Sequence, residues 1–151
     1  MKFNHLALLL LLGVTSFTKA FSQTAGSEQS ANEKVVQLIF EEGINKKNLS
    51  IFRTHYVSDA IDHSAFPGQK PGLEGLIASV RELHETFPDI KVKVEDVISE
   101  GDLIATRESW SATDKASGKK LTGWVLHMFK FKSGKVTEEW SKGWEWLSGT
   151  Q

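Results

Sequence analysis

One carboxylate lies among aromatic side chains on the last predicted strand, residues 135–147. A period of two places the following residues on one face of that strand: Val136, Glu138, Trp140, Lys142, Trp144 and Trp146. We expect this face to be the concave one, where loss of hydration would raise the pKa of the Glu138 carboxyl toward the range of a general acid or base. The alternative is a Glu138 ion pair at the rim, with Arg107 or Lys142 as its partner.

A single imidazole, His127, occupies an otherwise apolar row of the preceding strand. It shares strand parity with Val125, Phe129 and Phe131. Facing a pocket, His127 could take a proton from an acidic C–H bond or donate a hydrogen bond to a ligand carbonyl, because imidazole changes its protonation near neutral pH. The alternative is a core histidine whose ring is satisfied by a carbonyl or hydroxyl group.

A second pair of candidate residues, Asp62-His63, falls in a predicted loop that follows the early helices. At the mouth of a cavity, these two side chains could orient a ligand or relay a proton. The alternative is an ordinary loop contact in which the Asp62 carboxylate accepts from nearby backbone.

Other kinds of chemistry have little support in the sequence. The chain has no Cys, which excludes thiol catalysis and Cys-bound metals, and its 18 Lys and Arg against 19 Asp and Glu give no basic stripe for nucleic acid. His55, His63, His84 and His127 form no spacing typical of a metal site, so we predict no bound metal. The sequence also lacks the Gly-x-Ser-x-Gly motif that carries the nucleophile of many serine hydrolases.

The first residues resemble an export signal in their layout. A short charged start precedes an unbroken apolar run over residues 6–14, and small or polar residues follow. The run is far shorter than the ~20 residues that span a bilayer, so we expect a secretory signal peptide over residues 1–22 and no membrane span after its removal. Cleavage before Gln23 is favoured, with cleavage after Ala20 as the alternative. The mature protein would be periplasmic or extracellular.

The remaining chain reads as one domain, residues 32–148, after a flexible lead-in, residues 23–31. Helical spacing covers residues 32–48, 49–56 and 73–87, with a loop over residues 59–72, whereas a period of two begins at Ile90 and continues to Leu147 through three turns. Helices followed by strands predict an α+β fold in which helices pack on a strongly curved antiparallel sheet. All five Trp lie on the predicted strands, and Trp124 has the opposite parity to His127, which predicts the other sheet face.

Several short motifs, in this order, carry a resemblance to a known family. They are Asp62-His63, Gly72-Leu73-Glu74-Gly75-Leu76, Phe87-Pro88-Asp89-Ile90, Gly101-Asp102, and Phe129-Lys130-Phe131-Lys132-Ser133-Gly134-Lys135-Val136 with Glu138 and Trp140. With this order of elements, the chain resembles the SnoaL-like polyketide cyclase or ester cyclase family of the nuclear transport factor 2-like superfamily. The resemblance implies a cone-shaped α+β barrel around an apolar pocket, often as a homodimer.

The resemblance also implies an activity. Family cyclases use an acidic pocket residue for an aldol-type ring closure, usually without a cofactor, and commonly place an Asp just beyond the last-strand Trp. Here Ser141-Lys142-Gly143 follows Trp140 instead. We therefore expect an exported pocket protein for a small, apolar, carbonyl-bearing molecule, acting as an acid/base cyclase or isomerase; the alternative is a binding protein without turnover.

We divide the candidate site residues into a catalytic set and a ligand-binding set. The catalytic candidates are His127, Glu138, His63 and Asp62. The ligand-binding candidates are Trp140, Trp144, Phe129 and Trp110.

Overall fold

The computed structural model describes residues 15–143 and 147–148, with side chains over residues 27–143. It begins with the long helix α1, Thr15–Leu38. Helix α1 includes residues 23–31, where we expected a flexible lead-in. The stretch contains no Pro, and Gln29 Nε2 donates to the Ser99 carbonyl at 2.9 Å, which fastens the helix to the sheet.

Among the described residues, no helix is both long and apolar enough to cross a membrane.

A short π-helical segment, Ile39–Asn45, continues from α1 and buries Ile39, Phe40, Gly43 and Ile44. The sequence predicted one uninterrupted α-helix here. A π-helical turn bonds residue i to i+5 and keeps a similar hydrophobic stripe, so periodicity does not reveal it. The segment supplies the helical wall that faces the sheet.

Two further helices flank the first strand. Helix α2, Ser50–His55, leads directly into β1, Tyr56–Asp62, and α3 spans Gly72–Thr86. We expected a loop where most of β1 lies. Strand β1 pairs in parallel with a strand far along the chain, with Asp62 opposite Glu139. Local sequence patterns do not predict a pairing between such distant segments.

The remaining strands follow α3. They are β2, Lys91–Glu100; β3, Leu103–Thr113; β4, Lys120–Lys132; β5, Lys135–Lys142; and the short β6, Leu147–Ser148. The order is β1-β5-β4-β3-β2, with β6 on β4. The α+β class is confirmed. The sheet is mixed rather than wholly antiparallel, because β1 runs parallel to β5, and over the described residues it stays open between β1 and β2 rather than closing into a barrel.

A β-bulge at Thr137 changes the direction of the side chains along β5. Phe131 pairs with Val136, but the preceding residue of β4, Lys130, pairs with Glu138, so β5 has one extra residue at this point. Val136 is fully buried on the helix side of the sheet. Beyond the bulge, Glu139 and Ser141 take that side, and the predicted face of β5 is therefore wrong from Glu138 onward.

The core lies between the helices and one face of the sheet. Its fully buried members include Val36, Ile77, Ile104 and Phe129. Trp124 is 51% exposed, as its parity predicted, and with Ile98 and Leu126 it makes the opposite face of the sheet partly apolar.

Two polar side chains, Asn45 and His84, fasten the end of the π-helical segment. Asn45 Nδ2 donates to the Val92 carbonyl at 2.9 Å, and its Oδ1 accepts from the Val92 amide at 2.8 Å. His84 of α3 contacts the Ile44 carbonyl through Nε2 at 2.9 Å, and burial lowers the pKa of this imidazole. The Asn45 side chain thus satisfies a backbone N–H and C=O on the outer edge of β2.

We expect Asn45→Ala to lower the free energy of unfolding by about 1–3 kcal/mol, because two backbone groups of Val92 lose their partner. Urea unfolding followed by circular dichroism measures the change. Asn48→Ala is the control: among the described side chains its carboxamide accepts only an exposed bond from Ser50, and a loss of about 0.5 kcal/mol or less is expected. Equal losses in the two variants would contradict this role of Asn45.

Candidate functional site

A cavity of about 70 Å³ lies between the helices and the inner face of the sheet. Ile39, Phe40 and Ile44 of the π-helical segment, together with Leu76, Val80 and Leu83 of α3, form its apolar wall. The sheet contributes the rings of Trp110 and Phe129, and the polar residues of the lining are Tyr56, Asp62, Ser64, Gln69, Ser79, His127, Glu139 and Ser141. The cavity therefore combines an apolar wall with several ionisable groups.

Glu139 is the carboxylate that β5 presents to this cavity. Tyr56 donates its phenolic hydrogen to Glu139 Oε2, with an oxygen–oxygen distance of 2.5 Å. The residue keeps partial exposure, but protein atoms surround its carboxyl, and this loss of hydration raises the pKa of Glu139 to about 7. The Tyr56 bond and the neighbouring His127 act in the opposite direction, whereas the charge of Asp62 raises the pKa further.

Burial acts on Tyr56 in the same sense. Loss of hydration, followed by the nearby Glu139 carboxyl, raises the pKa of the Tyr56 phenol well above its ordinary value. Tyr56 therefore keeps its proton and remains a hydrogen-bond donor throughout the range in which Glu139 titrates.

Asp62 ends β1 at the edge of the cavity. Its carboxylate accepts from the Ser64 amide and from Gln69 Nε2, each at 2.8 Å, while Ser79 of α3 donates to Gln69 Oε1 at 2.9 Å. The Ser64 bond is the loop contact that we gave as the alternative for Asp62. The Gln69 bond also attaches the loop to the cavity wall, so Asp62 is held in a fixed orientation beside Glu139.

His127 lines the cavity from β4, on the same wall as Glu139. Its ring lies 5.4 Å from the ring of Phe40 and stacks on Phe129 at 5.6 Å and 11°. Nδ1 lies 2.9 Å from Oε2 of Glu108, a β3 residue with no exposed surface. We expected a carbonyl or hydroxyl as the partner of a core histidine at this position; the structure provides a carboxyl group.

Glu138 and His63 meet on the other side of β5. His63 stacks on Trp140 with ring centres 4.4 Å apart, and its Nε2 lies 2.9 Å from Glu138 Oε2. Lys130 donates to Glu138 Oε1 at 2.9 Å. The hydrogen bonds from His63 and Lys130 lower the pKa of Glu138, opposite to the predicted direction. Glu138 is therefore in an ion pair, as in our alternative, but with Lys130.

The structure thus divides the predicted residues into two groups. His127, Asp62, Phe129 and Trp110 line the cavity, whereas Glu138, His63 and Trp140 lie together outside it. Trp144 lies outside the described residues. Within the described part of the chain, no three His, Asp or Glu side chains are grouped as metal ligands would be.

Sequence reasoning missed Glu139, Tyr56 and Glu108. Glu139 could not be found because period two fails at the Thr137 bulge. The sequence predicts a helix that ends at Tyr56, whereas the structure places this residue at the start of strand β1. The burial of Glu108 could have been predicted, because it alternates with Thr106 and Trp110 in a row of β3 that is buried throughout.

Solved structures with the same fold include two candidate polyketide cyclases. The protein from Bacillus cereus ATCC 10987 is 22% identical, with a TM-score of 0.68 over 75% of this chain and 74% of its own. A candidate SnoaL-like cyclase from Jannaschia sp. CCS1 is also 22% identical, with a TM-score of 0.70 over 76% and 86%. At this identity, the likeness shows the fold alone.

A third structure shares the fold but carries a different name. It is an LEH-like epoxide hydrolase from M. tuberculosis, 12% identical, with a TM-score of 0.65 over 77% of this chain and 84% of its own. The fold therefore hosts more than one chemistry. No curated protein matches this sequence.

The match to a family model is more specific than the similarity in fold. A model described as SnoaL-like polyketide cyclase matches residues 34–143, a range that extends from α1 through β5 and includes Tyr56, His127 and Glu139. This range is well over half of the chain. It confirms the resemblance seen in the sequence, and the chain belongs to the SnoaL-like polyketide cyclase family.

Proposed function

We propose that this protein is an acid/base enzyme, a cyclase or isomerase, for a small carbonyl-bearing molecule, with His127 and Glu139 as its proton-transfer groups. The observation that carries the proposal is their placement. Ser141 is directly opposite His127 and Glu139 is opposite Phe129, so His127 and Glu139 are diagonal neighbours on one face of two adjacent strands. Diagonal neighbours are roughly 7–8 Å apart, which allows one small ligand to contact both.

The protonation of Glu139 suits this chemistry. A carboxyl group with a pKa of about 7 can release and regain its proton near neutral pH, and general acid–base catalysis is most effective when these values match. A carbon acid next to a carbonyl group needs one group to take its proton and another to protonate or hydrogen-bond the oxygen. His127 and Glu139 supply those two groups.

The dimensions and the walls of the cavity restrict the ligand. Typical ligand pockets have volumes of roughly 300–1,000 Å³, several times that of this cavity. A small molecule, or the reactive end of a longer one, fits better than a fused polycyclic skeleton. The Phe40 and Phe129 rings beside His127 favour an apolar body around the carbonyl group.

The second candidate function is ligand binding without turnover. The residue just beyond Trp140 is Ser141, which lines the cavity without an ionisable group. In this case Glu139 and His127 would only hydrogen-bond a ligand carbonyl. The two functions differ in whether a bound compound exchanges its protons.

We expect the wild-type protein to catalyse exchange of the α-protons of small ketones or 1,3-diketones in D₂O, measured by ¹H NMR. Glu139→Gln and His127→Ala should each lower the exchange rate by about 10²–10⁴-fold, because each removes one proton-transfer group. Glu138→Gln, which changes the adjacent carboxylate outside the cavity, is the matched control and should stay within a few-fold.

Two results would contradict catalysis by this pair: full exchange in both cavity variants, or an equal loss in Glu138→Gln. Quenching of Trp fluorescence by the same compounds, without exchange, would support the binding function instead.

Substitutions at Asp62 and at Tyr56 should shift the pKa of Glu139 in opposite directions. Asp62→Asn should lower the pKa of Glu139, because the charge of Asp62 raises it, and Tyr56→Phe should raise that pKa, because the phenolic hydrogen bond lowers it. ¹³C NMR titration of the Glu139 carboxyl measures both shifts. Asp59→Asn, an exposed change on the same strand, is the control and should leave the titration in place. Shifts of the same sign in the two cavity variants would refute this account.

We further propose export and dimerisation. The charged start and apolar run of residues 1–22 support a cleaved leader, and the exposed Ile98, Trp124 and Leu126 on the outer sheet face support association with a second copy. In a secreting host, mass spectrometry of the exported protein should find a chain that begins at Gln23. Light scattering should give twice that mass. An intact leader would refute the first proposal and a monomer the second.

A further inference from the structure

Glu108 is a carboxyl group buried at the centre of β3. It has no exposed surface, and its cross-strand neighbours are Val94 and Val125. Oε2 contacts His127 Nδ1, while Oε1 has no hydrogen-bond partner among the described residues. A buried carboxyl with one unsatisfied oxygen is costly in free energy. An apolar residue would pack in this place at lower cost, so the contact with His127 is the feature that distinguishes Glu108.

The contact constrains the protons of the imidazole ring. A carboxylate can only accept hydrogen bonds, so an ionised Glu108 requires a proton on Nδ1 of His127. In the neutral ring, Nε2 then carries the lone pair. Because Nδ1 is directed at Glu108, Nε2 is the ring nitrogen on the side away from β3, and the His127 side chain lines the cavity.

We propose that Glu108 is a positioning residue that keeps the His127 proton on Nδ1 and thereby makes Nε2 the proton acceptor of the site. The proposal rests on the proposed function, since it assigns the roles within the His127 and Glu139 pair. His127 is the base, and Glu139 is the acid.

The assignment defines the proton movements of an enolisation. His127 Nε2 takes the proton from the carbon next to the carbonyl group, and the electrons of that C–H bond form the C=C bond of the enol. The carbonyl π electrons move to the oxygen, which receives the Glu139 proton. The products are an enol, an imidazolium ion and a carboxylate, with no net change in charge. Glu108 then faces the imidazolium and stabilises its positive charge.

The structure also provides a matched control. Thr106 is directly opposite His127 on β3, is buried, and its hydroxyl has no hydrogen-bond partner in the described part of the chain. Thr106→Val keeps the shape of the side chain and removes a buried polar group beside the same imidazole. A general effect of altered packing around His127 would occur in this variant as well.

The test is ¹H–¹⁵N NMR of the histidine rings in the full-length protein, at a pH where His127 is neutral. The chain has five His, and the signals missing from His127→Gln identify His127. In the wild type and in Thr106→Val, we expect the ¹⁵N shift of Nδ1 to be that of a protonated nitrogen. In Glu108→Met, the proton should move to Nε2, the nitrogen protonated in most free histidine.

The same variants should separate in the proton-exchange assay. Glu108→Met should lose at least about 10-fold of the exchange rate, and Thr106→Val should stay within a few-fold. A wild-type ring protonated on Nε2 would overturn the proposal, as would an unchanged tautomer in Glu108→Met. If Glu108→Met does not fold, the wild-type spectrum still decides, because the proposal requires the Nδ1 proton there. An Nδ1 proton without any exchange would count against the enzyme function alone.

Discussion

The register between β4 and β5 is the constraint on which the rest of the site depends. The extra residue at Thr137 lets Val136 and Glu139 face the helices, although their numbers differ by three. Without the bulge, Glu138 and Trp140 would point into the cavity, and Glu139 would leave it. The bulge therefore selects which of two adjacent carboxylates meets Tyr56 and Asp62.

The two carboxylates show how strongly position acts on one functional group. Glu138 has Lys130 and His63 as hydrogen-bond donors, and its pKa is lowered, whereas Glu139 loses water to protein atoms and its pKa is raised to about 7. The intrinsic chemistry of the two side chains is the same. Only the face of the strand differs. On one face Glu138 forms an ion pair, and on the other Glu139 can exchange a proton near neutral pH.

The parts of the fold with local signals could be predicted from the sequence. Residues 73–87 have clear helical spacing, and the hairpins of β2 to β5 have clear turns, so the α+β class and the family followed from short-range patterns. Strand β1 could not be predicted because its partner is about 80 residues away, and the π-helical segment could not because its stripe imitates an α-helix.

The site was predictable to the same extent. Period two is intact on β4, which correctly placed His127 and Phe129 on the inner face. On β5 the same rule fails after one bulge, so the carboxylate that lines the cavity is Glu139 and not the predicted Glu138. The alternation of residues on β3 could have predicted that Glu108 is buried. Its contact with His127, at 2.9 Å, could not be predicted, because the two residues are on different strands that only the fold brings together.

The raised pKa of Glu139 also couples folding to proton uptake. An unfolded chain would release this proton near pH 4.5, whereas the folded chain keeps it up to about pH 7. Between these values the folded state binds more protons than the unfolded state, so the contribution of Glu139 to stability falls as the pH rises through this window. A mildly acidic compartment would therefore strengthen the fold through the same carboxyl group that we assign to proton transfer.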